Sequence, residues 1–103
     1  MSMFYKYIVT GTDTSYESPT FREVTVFGKF TSLEAARGHL MWEVNEYMEK
    51  YDDESVGDIY TGGTYDDGEI LVAGTFHTGP NDGKGFGMRF KIEEIEPEKV
   101  ELE

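Results

Sequence analysis

Residues 31–51 read TSLEAARGHLMWEVNEYMEKY, and the reading of this stretch decides the fold. Steps of about 100° per residue from Leu33 gather Ala36, Leu40, Val44, Tyr47 and Tyr51 into one arc, with Met41 and Met48 at its edge. That spacing predicts an amphipathic helix with one stripe facing a core. Thr31-Ser32-Leu33-Glu34 fits a capping box, in which a hydroxyl and a carboxylate each satisfy an orphan backbone donor. The helix should end near Tyr51. Beyond it, Asp52-Asp53-Glu54-Ser55 has no apolar periodicity, and acids at a helix C-terminus oppose its dipole.

On both sides of the helix the period changes to two, the spacing of a half-buried strand. Phe4–Val9 divides into Phe4, Lys6 and Ile8 on one face and the more apolar Tyr5, Tyr7 and Val9 on the other. The second strand, Arg22–Phe30, places Val24, Val26 and Phe30 together, with Phe27 as an exception among Glu23, Thr25 and Lys29. A polar loop containing Ser18-Pro19 joins these two strands. After the helix, Ile59–Tyr65 and Glu69–His77 flank the turn signal Asp66-Asp67-Gly68, although Gly62-Gly63 weakens the first. A turn-rich connection follows, and Phe86, Met88, Phe90 and Ile92 then alternate with Gly87, Arg89 and Lys91. Pro97 discourages regular structure beyond that point. The expectation is a single α+β domain in the order β-β-α-β-β-β, with one helix packed on a mainly antiparallel sheet. Residues 1–92 form the domain in this reading and 93–103 an acidic C-terminal tail, frayed or laid along the surface.

At 103 residues the chain has room for one domain and one modest core. Its charge is lopsided: 21 Asp and Glu against 9 Lys and Arg give −12. Residues 1–42 carry four acids and four bases, so residues 43–103 hold the entire excess. A negative chain is repelled by phosphate backbones and anionic membranes, which excludes direct nucleic-acid binding. No run of 18 apolar residues crosses a membrane as a helix, and the N-terminus shows no secretory pattern. With no cysteine, disulfides, thiolate catalysis and cysteine-held metals are absent together. A cytoplasmic location is the expectation.

Motifs for chemistry fail one by one. His39 and His77 stand alone, without His-x-x-x-His or Glu-x-x-His spacing. No serine sits in a glycine-flanked nucleophile turn. EF-hand registers starting at Asp52, Asp66 and Asp67 each lack a required ligand. Gly83-Lys84-Gly85-Phe86-Gly87 has neither dinucleotide nor P-loop spacing. Its last four residues match the start of an RNA-recognition signature, but Met88-Arg89-Phe90-Lys91 departs from the continuation. No catalytic residue, metal site or cofactor is assigned.

The suspicious surface lies on the helix. Trp42 falls opposite the Leu33 stripe, beside His39 and the small residues Ala35 and Gly38, making a partly apolar patch of the kind that marks contacts. Cover by the C-terminal residues Val100 and Leu102 is one alternative, and a second copy is another. Together with Trp42, Gly38 and His39, the acids Asp52, Asp53, Glu54, Asp66, Asp67, Glu93, Glu94 and Glu96 form the candidate partner-binding set. The expected function is a small acidic, non-enzymatic binding protein occupying a basic site on a protein partner, such as a nucleic-acid-binding protein, as an inhibitor or phosphate-backbone mimic. Alternatives are a self-associating accessory protein, with a homodimer as its form, and a small carboxylate–histidine enzyme.

Overall fold

The apolar stripe folds as a helix, α1 (Leu33–Lys50), whose first turn is held by Ser32. The Ser32 hydroxyl oxygen accepts the Ala35 N–H at 3.1 Å. The cap thus sits one residue later than the box built on Thr31. Ser32 is already extended, at φ −134° and ψ 153°, so Glu34 becomes the second helical residue and not the third. Tyr51 closes the helix where expected, its N–H donating to the Met48 carbonyl at 3.1 Å.

The structure, a computed structural model, describes residues 3–14, 24–80 and 82–100. The other elements are β1 (Phe4–Asp13), β2 (Val24–Phe30), β3 (Val56–Thr64), β4 (Glu69–Phe76) and β5 (Gly85–Lys99). The chain is therefore an α+β domain of order β-β-α-β-β-β with one helix on a five-stranded antiparallel sheet. Arg22, Glu23 and the Ser18-Pro19 loop lie outside the described residues.

Strand order is β2-β1-β5-β4-β3, and every neighbouring pair is antiparallel. A hairpin (β1, β2) and a meander (β3, β4, β5) join through β1 and β5 at the centre. α1 leaves one edge strand and must deliver the chain to the opposite edge. Four strand spacings amount to about 19 Å, and eighteen helical residues span about 27 Å, so one helix can make the crossing. In passing it buries Ala36, Leu40 and Val44 against Val9, Ile70, Val72 and Phe90.

Two glycines of positive φ serve the β3–β4 hairpin, Gly68 in the turn at +72° and Gly63 within β3. Gly63 has φ +84°, and a Cβ there would strike the Glu69 carbonyl oxygen. The strand weakened on paper by Gly62-Gly63 holds, with Gly62 paired to Leu71 and Gly63 to Ile70.

Two further expectations are overturned. Val9 pairs with Gly28 but Thr10 pairs with Val26, leaving Phe27 as an extra residue in β2. This bulge reverses the alternation. Phe27 turns inward and stacks on Phe90 with centroids 5.9 Å apart, while Val24 and Val26 are 60% and 55% exposed on the other face. Val24 and Val26 therefore do not share the inner face with Phe30. Nor does Pro97 end regular structure: β5 runs on to Lys99, pairing Glu93 with Ile8, Glu94 with Tyr7 and Glu98 with Tyr5. A shift in register between Tyr5 and Tyr7 accommodates the proline, so residues 93–99 are sheet and not a loose tail.

The bulge makes opposite demands on adjacent side chains. Phe27→Ala should lower stability by about 2 kcal/mol or more. Val26→Ser should stay within about 0.5 kcal/mol of the parent. Urea unfolding of the two variants checks both.

Candidate functional site

The candidate residues separate into two groups and a lone patch. Asp66 and Asp67 lie in the β3–β4 turn, which leans on the first half of α1: Arg37 Nη2 donates to the Asp66 carbonyl at 2.8 Å. The same turn touches β5, where the Ile92 N–H donates to the Gly68 carbonyl at 2.7 Å. Glu93, Glu94 and Glu96 follow directly and are exposed. These five acids thus share the end of the molecule where the helix begins. Asp52, Asp53 and Glu54 lie past its other end, about 27 Å away by helix length. They sit beside His77, whose N–H donates to the Ser55 carbonyl at 2.8 Å. The fold does not converge the full set on one point.

Local bonding shapes each acidic turn. The Asp53 carboxylate accepts the Ser55 N–H at 2.9 Å, a bond that holds its carboxyl below the usual range. The Asp67 carboxylate accepts from the Thr64 hydroxyl at 2.8 Å. Among the described residues, no three His, Cys, Asp or Glu side chains gather as a metal site.

Trp42 stands out from α1, 55% exposed. His39 lies between it and Phe30, stacked on the indole at 5.7 Å and tilted against the phenyl ring at 5.0 Å. Glu43 Oε1 comes within 3.1 Å of His39 Nε2, but the pair is not aligned as a hydrogen bond. The aromatic ladder fixes the tryptophan from below and leaves its outer face open. A Cβ on Gly38 would meet nothing within 4 Å, so no packing among the described residues requires glycine there. Val100 donates its N–H to the Met3 carbonyl at the end of the sheet, while Leu102 lies outside the described residues.

Sequence reading missed the flank of α1 that faces β1 and β2. Glu43, Glu46 and Glu49 edge a groove of about 570 Å³ there, above Phe27, Tyr47, Met88 and Phe90. The i, i+3, i+6 spacing of the three glutamates and the odd parity of Phe27 were the available signals. Burial pushes the Tyr47 hydroxyl well above its ordinary value of 10, and the neighbouring Tyr51 and the Asp13 charge push the same way.

Along the helix the acids are largely unopposed. From Leu33 to Asp58 the chain carries eight acids and only Arg37 and Lys50 as bases. On the outer face of the sheet two cations have acidic neighbours: Arg89 lies 3.3 Å from Glu69, and Lys91 3.7 Å from Glu93. No helix among the described residues is long and apolar enough to cross a membrane. Comparison of the chain with protein-family models, curated proteins and solved structures finds no match.

Two outcomes follow from these contacts. Gly38→Ala should raise stability by about 1 kcal/mol, because it adds helix propensity into open space; thermal unfolding measures it. Tyr47 keeps its proton in the fold beyond the point where an unfolded tyrosine loses it. Its contribution to stability is therefore whole below about pH 10 and lost as pH climbs past that value toward the folded pKa. Urea midpoints between about pH 9 and 12 should fall less steeply for Tyr47→Phe than for the parent.

Proposed function

We propose that this chain is a non-enzymatic binding protein that presents its acidic helix layer to a positively charged site on a protein partner. The observation that carries the reading is the unopposed charge of residues 33–55, seven acids against two bases along α1 and the loop beyond it. Those bases are few, and on the opposite face Arg89 and Lys91 are already beside carboxylates. A surface of this sign steers and orients basic partners. The helix is about as long as eight base-pair steps of duplex, so a basic groove built for a phosphate backbone is a site of matching charge and length. The partner class is accordingly a nuclease or other nucleic-acid-binding protein, and the role is inhibitor or backbone mimic. The cytoplasm is the compartment assigned in this reading, in keeping with a chain that has no cysteine.

A second reading, self-association, has its own observation. Among the described residues no helix lies over the outer sheet face, which exposes Val24, Val26, Leu71 and Tyr60, the last at 67%. Patches of this kind mark contacts, and a second copy is one way to cover them.

Immobilised chain should retain basic nucleic-acid-binding proteins from a lysate at about 50 mM salt and release them to duplex DNA or at about 500 mM salt. Retention indifferent to both salt and DNA would remove the electrostatic reading. Sedimentation of the purified chain addresses the second: a dimer dissociated by Val26→Lys supports it, and a monomer throughout the accessible concentration range removes it.

A further inference from the structure

α1 leaves a groove along its flank over β1, β2 and β5, with a volume of about 570 Å³. Cavities of this size take one or two large side chains or a small ligand. Its floor is aromatic and soft. Phe27 and Phe90 stack at 5.9 Å, and Tyr47 meets Phe90 edge-on at 5.5 Å. Met88 completes the surface. Gly11 underlies it: a Cβ there would fall 2.6 Å from the Phe27 ring and 2.8 Å from the Met88 sulfur. Glycine is what lets those two side chains close over β1. The rim has the opposite character, with Glu43, Glu46 and Glu49 against Lys50.

Floor and rim select different parts of one ligand. A purely charged partner gains nothing from the apolar floor. A neutral apolar one would shield three carboxylates from water and return no partner to them. A segment with both properties satisfies both. We infer that this groove receives one large apolar side chain of a basic peptide segment, whose flanking Lys or Arg residues pair with the rim glutamates. The inference rests on the acidic-binding reading above and adds the place and the side-chain chemistry. The groove on the other flank of α1, about 590 Å³ between Met41, Met48, Tyr65 and Ile70, has Asp66 as its one acid, and no charge pattern there names an occupant.

The test uses the full chain labelled with ¹³C at its methionine methyls, and a peptide of about twelve Lys, Arg and Gly residues with a single central Phe. At about 50 mM salt the Met88 methyl resonance should move while Met41 and Met48 stay in place. Exchanging the Phe for Gly should weaken the peptide about tenfold or more, the cost of a side chain no longer buried. Glu43→Lys with Glu46→Lys should abolish binding. Asp53→Lys with Glu54→Lys makes the same change in net charge away from the groove, and should cost less than about threefold, the scale of a partly screened long-range effect. Binding that ignores the Phe and leaves Met88 unmoved overturns the groove while the acidic-layer reading stands. Equal losses from the two charge reversals do the same. A peptide that fails to bind at this salt overturns both.

Discussion

Everything in this molecule hangs on the pairing of β1 with β5. Thr10 donates its hydroxyl to the Lys91 carbonyl, a contact that closes 81 residues of chain. Closing a loop of that length is entropically unfavourable, though the cost grows only logarithmically, and a ladder running from Phe4–Lys99 to Asp13–Met88 offsets it. Once β1 and β5 occupy the centre, β2 and β3 have only the edges left. The segment that joins those edges must then cross a face of the sheet. The position of α1 is a consequence of that pairing, as is the burial of its Ala36, Leu40 and Val44 stripe.

The crossing also explains where the grooves are. A single helix is about 10 Å wide with its side chains, whereas five strands span about 24 Å. One helix cannot roof that width, so a channel is left on each flank. Long side chains from both layers close most of the space beneath: Tyr51 lies flat on Phe86 at 4.0 Å, and Tyr47 reaches Phe90. What remains open is edged by the helix's own solvent-facing residues. Because those residues are largely glutamates, geometry and charge arrive together at the flank facing β1 and β2. The opposite channel inherits a neutral lining from Met41 and Met48.

Much of the fold was legible along the chain. Ser32 and Tyr51 bound a helix whose stripe is plain at 100° spacing, and Phe86 to Ile92 alternates as a strand packed on one side must. Less visible was anything that depends on a partner strand. Phe27 breaks the alternation of β2, and only the unequal count of residues opposite Val9 and Thr10 shows that it turns inward while Val24 and Val26 turn out. Pro97 reads as a terminator in isolation. A register shift opposite Tyr5 and Tyr7 makes room for it. The acids after Asp52 and those after Ile92 look like parts of one surface in a charge count, yet they flank opposite ends of the helix.

The sequence by itself determined the class of elements, their order, the core stripe of α1 and the excess of negative charge, because each follows from local periodicity or composition. Tertiary structure alone decided the strand order, the inward turn of Phe27, the path through Pro97, and the meeting of Glu43, Glu46 and Glu49 with an aromatic floor. The physical reason is separation: Phe27, Tyr47 and Phe90 are far apart in the chain, and no local signal records that the β1–β5 ladder and the crossing helix bring them within about 6 Å of one another.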